Sequence, residues 1–206
     1  MSVEPGRRGR GRPRVSTRED VELAAVALMR RDGYENVTVA SIVSAAGISR
    51  TTFFRYFGSK PGVIWYAFDT TIERLAAAIA AAPADADTLD AVRAAVVEST
   101  RAAVQDSPVW LERFQLLDTV AELQAESHQH WEQWKRAIAE HIAARLGSAP
   151  DSVIPLAVAG AFHGGFVAQL RVWRDDRDRD AFIAHLDRNM EHVAALLRPL
   201  PSTDLG

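Results

Sequence analysis

From Ser16 onward, apolar side chains return every three or four positions, the spacing of helices that each bury one face. Val21, Ala24, Ala25 and Leu28 share such a face. Ser16 or Thr17 can cap it, Glu19, Asp20 and Glu22 suit its first turn, and Gly33 stops it. Thr38 can cap a second helix through Ala46, with Val39, Ile42 and Val43 inward and Gly47 at its end. Ser49 then caps a third, from about Arg50 to Phe57, which Gly58 terminates. Ser59 opens a longer fourth helix that tolerates Pro61 in its first turn. Beyond it, Pro83 and the turn-rich stretches at 106–108, 147–152 and 174–180 punctuate alanine- and leucine-rich periodic segments. No alternating β-branched run competes, and no internal repeat emerges. The pattern predicts an all-α chain in three parts: a disordered basic arm over 1–15, a three-helix head over 16–60, and a helical body over 61–206.

Charge sharpens that division. The 206 residues carry a net −3, but through Lys60 there are 11 basic against 6 acidic side chains, and from Pro61 onward 13 against 21. A basic head on an acidic body points to a polyanion partner for the head. The chain has no cysteine, which removes disulfides, thiol nucleophiles and Cys-bearing zinc sites and suits a reducing compartment. The near-apolar runs, such as Ala76 to Ala82, look too short for a membrane span, so a cytoplasmic protein with no membrane partner is expected.

The third helix carries the most pointed chemistry. Phe53 and Phe57, four apart, form its packing pair, and Arg50, Thr51, Phe54, Arg55 and Tyr56 project away from the core with Thr52 at the boundary. A short capped helix after a glycine turn, with such side chains outward, matches the recognition helix of a helix-turn-helix. Arginine can reach guanine edges, threonine a base edge or a thymine methyl, and Tyr and aromatic edges can fit against phosphate and sugar. Lys60 and the first amides of helix four can take a phosphate. The bland alternative is that Phe54 and Tyr56 pack on the body and the arginines are simply solvated.

The order of these pieces in "VTVASIVSAAGISRTTFFRYFGSK", Val37 to Lys60, resembles the TetR family of transcriptional regulators. The resemblance implies Thr38 near a phosphate, Arg50, Thr51, Thr52 and Arg55 near bases, and Phe54, Tyr56 and Lys60 on the DNA backbone. Phe54 departs from the tyrosine common there and has no hydroxyl to offer a phosphate. In the arm, "RGRPR" resembles the core of an AT-hook, which would send Arg10 and Arg12 into a narrow A·T minor groove; a plain basic tail is the alternative.

One small head reads few base pairs, which favours a two-fold dimer. Ala157, Gly160, Ala161, Gly164 and Ala168 form a small-residue face on the segment Pro155 to Trp173, and glycine inside a helix suggests a packing reason. Resemblance implies a homodimer through an intersubunit four-helix bundle completed by the last helix, Phe182 to Leu197; packing within one subunit is the alternative. Trp65, Phe68, Trp110, Phe114, Trp131, Trp134, Phe162 and Phe166 are candidates to line an apolar effector chamber, against the ordinary reading that they are core. The run "GSKPGVIWYAFD" is similar to a branch of the family connected with acyl-CoA-like molecules, including regulators of mycofactocin gene clusters. A long-chain acyl-CoA would want a basic group for its charged end, with Arg113, Arg136 and Arg171 as candidates.

His128 and His130, two apart on a helix, face different sides and make a poor metal pair, and His163 fits either a pocket or the core. No catalytic triad, phosphate loop or spaced carboxylate pair stands out, so neither an enzyme nor a cofactor is expected. The expectation is a dimeric repressor that binds a pseudo-palindromic site on double-stranded DNA and is released by a small hydrophobic effector. A ligand-independent architectural DNA binder is its rival.

Overall fold

The computed structural model describes residues 16–173 and 178–198, and the basic arm with Arg10 and Arg12 lies outside them. Among the described residues there are nine α-helices and no strand. The head consists of α1 (Arg18–Asp32), a single 3-10 turn (Tyr34–Asn36), α2 (Val39–Ala46) and α3 (Arg50–Phe57). Local chemistry sets each boundary. Thr17 and Asp20 close a reciprocal capping box at α1, and Thr38 and Ser41 close another at α2. Ser16, the other capping candidate, instead donates its hydroxyl to the Ala46 carbonyl at 2.6 Å, tying the start of α1 to the end of α2. Gly47 ends α2 in the left-handed region at φ 65°, which a side chain would resist.

Inside the head, Val21, Ala25, Val26 and Met29 of α1 pack with Tyr34, Val37, Ile42, Phe53 and Phe57. The rings of Phe53 and Phe57 lie 5.5 Å apart, as their four-residue spacing predicts. Ala24 and Leu28 are only half-buried. The inward face of α1 is rotated slightly from the expected one, to Val26 and Met29. Glu22 departs further: expected to serve the first turn, it is buried.

The body holds α4 (Lys60–Ala80), α5 (Thr88–Asp106), α6 (Trp110–Thr119), α7 (Ala121–Leu146), α8 (Val153–Val172) and α9 (Arg179–Leu197). Helix α4 packs on α5 and α7, α7 on α8, and α5 and α8 on α9. Where α3 hands over to α4, the Ser59 hydroxyl accepts from the Gly62 amide at 3.0 Å. A Cβ on Gly62 would meet the Phe57 carbonyl oxygen at 2.0 Å, so the tight angle between the two helices needs glycine there. The break between α6 and α7 is a single extended residue, Val120 (φ −100°, ψ 115°), with no glycine or proline to announce it.

Helix α8 corrects one expectation: by length and composition it could cross a bilayer, with a mean hydropathy of 1.6. Its apolar character serves the bundle on one side, where Val158, Ala159, Phe162 and Phe166 are buried. A Cβ on Gly165 would come within 2.9 Å of Met190 and Val193 on α9, so α8 and α9 approach closely there. Gly160 and Gly164 point elsewhere, into open space.

Candidate nucleic-acid interface and effector chamber

The outward face of α3 carries Arg50, Thr51, Phe54 and Arg55, all exposed, with Phe54 45% exposed and edge-on to Phe53 at 5.5 Å. Thr52 is half-buried, and its hydroxyl lies 3.0 Å from that of Ser49, the cap of the same helix. Thr38 is exposed at the start of α2, where its hydroxyl accepts from the Ser41 amide at 3.1 Å. Tyr56 is half-buried beside Phe57. The Arg18 guanidinium covers the ring of Tyr56 at 5.3 Å and that of Tyr66 at 4.4 Å. Sequence reading missed Arg18: its cation-π role depends on α4 folding beside α1.

Lys60 is turned away from the solvent face that was expected of it. Its Nζ lies 3.9 Å from the Tyr34 ring centroid, donates to the Tyr34 carbonyl at 3.3 Å and sits 3.9 Å from Glu122 of α7. To meet a phosphate it must leave these partners.

The eight rings nominated for a chamber divide into two groups. Trp65, Phe68, Trp110, Trp134, Phe162 and Phe166 are buried in core packing, although Trp65 also borders a cavity of about 230 Å3 beside Asp69 and His130, and Trp110 one of about 110 Å3 beside Glu22 and Ser107. Trp134 stacks on Phe166 at 5.4 Å, and Trp65 stacks on His130 at 4.0 Å, whose Nδ1 lies 2.6 Å from Asp69. Phe114 and Trp131 instead line a cavity of about 160 Å3 between α6, α7 and α8. Leu117, Asp118, Val167 and Arg171 share its wall. His163 lies against Trp131 at 4.8 Å, and burial, with Lys135 nearby, pulls its pKa down and keeps the ring neutral. A roomier groove of about 690 Å3 opens between α7 and α8 and contains none of the nominated rings. Gln129, Gln133, Lys135 and Arg136 border it beside Leu156 and Gly160; of the polar four, the sequence had singled out Arg136 alone, as a candidate for a ligand's charged end.

The three arginines considered for a ligand's charged end have separate fates. Arg136 donates to Glu140 at 2.8 Å on the surface of α7, and Arg171 pairs with Asp118 at the smaller cavity. Arg113 points the other way: 2% exposed, it forms an ion pair with the buried Glu22 of α1 and donates to Ser107 at 3.1 Å. Burial lowers its pKa to about 9, so it stays cationic at neutral pH. Next to it, Glu112 pairs with Arg30 of α1 at 2.5 Å, and the Trp110 indole donates to Thr71 of α4 at 3.3 Å. Among the described residues no group of three or more metal-ligating side chains converges.

A glycine-turned helix pair whose second helix presents arginines and threonines, set on a helical body, defines a helix-turn-helix DNA-binding transcriptional regulator. Residues 23–64 match the family described as bacterial regulatory proteins of the tetR family, and residues 86–198 match the MftR C-terminal domain. The chain belongs to the TetR family, whose members here are regulators and not enzymes. It is similar to the protein named as the mycofactocin biosynthesis transcriptional regulator MftR of Mycobacterium tuberculosis, 29% identical over 166 residues, 81% of this chain and 84% of that one. The same fold occurs in the fatty acid degradation regulator FadR of Bacillus halodurans, with a TM-score of 0.60 and 15% identity over 89% of this chain and 97% of that one. It also occurs in Thermus thermophilus FadR, solved in complex with lauroyl-CoA, with a TM-score of 0.52 and 18% identity over 92% of this chain and all of that one.

Proposed function

We propose that this regulator is a cytoplasmic homodimeric repressor. Residues 16–60 bind a pseudo-palindromic operator, and residues 61–206 join the two copies and take a small apolar effector that releases DNA. The observation that carries the reading is the outward face of α3, where Arg50, Thr51 and Arg55 stand free of the core on a helix fixed from behind by Phe53 and Phe57. Arg50 and Arg55 read base edges with Thr51 and Thr52 beside them, and Thr38, Phe54 and Tyr56 fit the backbone. Lys60 joins them when its ammonium swings off Tyr34, and Arg10 and Arg12 of the arm enter the minor groove. Arg50→Ala or Arg55→Ala is expected to cost about 1–3 kcal/mol of discrimination at one base position of the operator, measured by competition binding against single-base variants. A uniform loss across all sequences would remove both arginines from base reading.

The dimer is supported by the far side of α8. Gly160 and Gly164 have open space where a Cβ would sit, and Ala157 and Ala168 are exposed with Ala161 half-buried between them. Val153 and Leu196 are 82% and 86% exposed, with Ile154 and Leu156 also uncovered. Glycines in a helix cost stability, and this subunit gives these two no compensating contact, whereas a second copy would.

For the effector, the cavity at Phe114 and Trp131 joins an apolar wall to the Arg171–Asp118 pair, which suits an acyl chain with a charged end. Its volume of about 160 Å3 lies below the ~300–1,000 Å3 of pockets that enclose drug-sized ligands, so a long-chain acyl-CoA must part the surrounding rings to enter. The lauroyl-CoA held by the Thermus thermophilus relative makes that compound the first to try. Trp131→Ala should shift the lauroyl-CoA dose response of operator release on the order of fivefold or more, with operator affinity in its absence unchanged. An unmoved dose response would take Trp131 out of the lining.

A further inference from the structure

We propose that Glu122 sets the affinity for DNA: in the free protein its carboxylate holds the place that a DNA phosphate takes beside Lys60, so that binding exchanges one anion for the other. Lys60 opens α4, and Glu122 lies in the first turn of α7. The two helices run side by side in the same direction, since Trp65 and Asp69 further along α4 meet His130 further along α7. Their N-terminal ends therefore lie together, three residues past the end of the recognition helix α3.

A cation in the first turn of a helix is opposed by the helix dipole and gains from any nearby anion. Inside the protein Lys60 has that anion. Its Nζ covers the Tyr34 ring at 3.9 Å and donates to the Tyr34 carbonyl at 3.3 Å, while Glu122 supplies the counter-charge at 3.9 Å. Tyr34 is a fixed seat, buried in the head core. Burial, with Glu122 and then Glu126 close by, pushes the pKa of its hydroxyl up, so the ring stays neutral under the ammonium. Glu126 follows Glu122 by one turn of α7, and the surroundings of this DNA-side lysine are thus acidic. Lysine suits an exchange of partners because its ammonium is a point charge on a flexible stem. Lys60 and Lys135 are the only lysines in the chain, and every other basic side chain of the Lys and Arg type is arginine. The ordinary role for Glu122 is to complement the amides that open α7, where Val120 provides no side-chain cap. That role would stabilise α7 and leave Lys60 untouched, so the two are separable.

Because the exchange rests on the proposed phosphate contact of Lys60, the test has two arms, the first without DNA. The parent and Glu122→Gln are acetylated with limiting N-hydroxysuccinimide acetate, and Lys60 is followed by peptide mass spectrometry with Lys135 as internal reference. Losing the carboxylate should raise the reactivity of Lys60 relative to Lys135 about threefold. An unchanged ratio would overturn the proposal, since Glu122 would then not hold the ammonium. In the second arm the parent, Lys60→Ala, Glu122→Gln and the double variant, each shown to be folded by its melting curve, bind a duplex selected from random sequence by the parent. Glu122→Gln should bind more tightly, and Lys60→Ala should cost about fivefold more affinity in the Glu122→Gln background than alone, because only there is the ammonium free beforehand. Equal costs in the two backgrounds would overturn the exchange: the carboxylate would then repel DNA directly and not act through Lys60. A parent that selects no duplex would count against the proposed function instead, and the acetylation ratio would still decide whether Glu122 holds Lys60.

Discussion

Arg113→Ala is expected to destabilise the protein by about 3–5 kcal/mol, more than the loss of any exposed ion pair. The variant leaves the Glu22 carboxylate sealed between α1 and α6 with no cation, and it also opens a void where the guanidinium stem packed. Replacing both partners should be far milder. Glu22→Leu with Arg113→Met removes two desolvated charges together, and such exchanges are often neutral or stabilising. Urea unfolding of the two single variants and the double variant forms a cycle that measures the pair. The outcome that would defeat this account is a double variant as unstable as Arg113→Ala, because the loss would then come from packing alone. Arg30→Ala, which removes the exposed neighbouring pair, should cost no more than about 1 kcal/mol.

The second large effect is expected at Gly62. An alanine there places its Cβ 2.0 Å from the Phe57 carbonyl oxygen and 3.1 Å from the carbonyl carbon, both backbone atoms at the end of α3. A side-chain rotamer cannot relieve that contact, so α3 must tilt on α4. Overpacking of this kind costs about 1–3 kcal/mol. The larger consequence is for DNA: α3 carries Arg50 and Arg55, and a tilt moves both relative to the second head of the proposed dimer. Gly62→Ala should therefore lose operator affinity by more than its stability change predicts, read from binding isotherms on protein shown to be folded by its melting curve. Operator affinity within twofold of the parent would mean that the α3–α4 angle is not what the glycine protects.

The head was legible because its signals are local. Thr17, Thr38, Ser49 and Ser59 each cap the helix that follows, and Gly33, Gly47 and Gly58 end the helices they were expected to end. Those choices depend on neighbours three or four residues away. What stayed hidden depends on distant parts of the chain. Glu22 and Arg113 are 91 positions apart, and alone the first reads as a first-turn acid and the second as a cation for a ligand's charged end. Likewise Lys60 and Arg18 read as free cations until Tyr34, Tyr56 and Tyr66 come beside them.

The body was harder to read. The aromatic rings signalled apolar surroundings, but the sequence could not tell a ring that faces a cavity from one that fills the core. Of the eight, Phe114 and Trp131 line the cavity between α6, α7 and α8, Trp65 and Trp110 border two others, and the remaining four fill the core. The break at Val120 also left no trace, since it needs one extended residue and neither of the usual punctuating types. The small-residue stripe on α8 was visible in the sequence. Which way it faced was not, because glycine spacing looks the same whether the partner helix belongs to this subunit or to another.

The seam between α1 and α6 also limits how this regulator can be rebuilt. Its DNA-reading module is bounded by glycines and short turns, which invites grafting it onto a relative's body. Yet the graft would import a sealed carboxylate whose counter-ion stays behind in α6, so a working chimaera must transplant Arg113 together with residues 16–60.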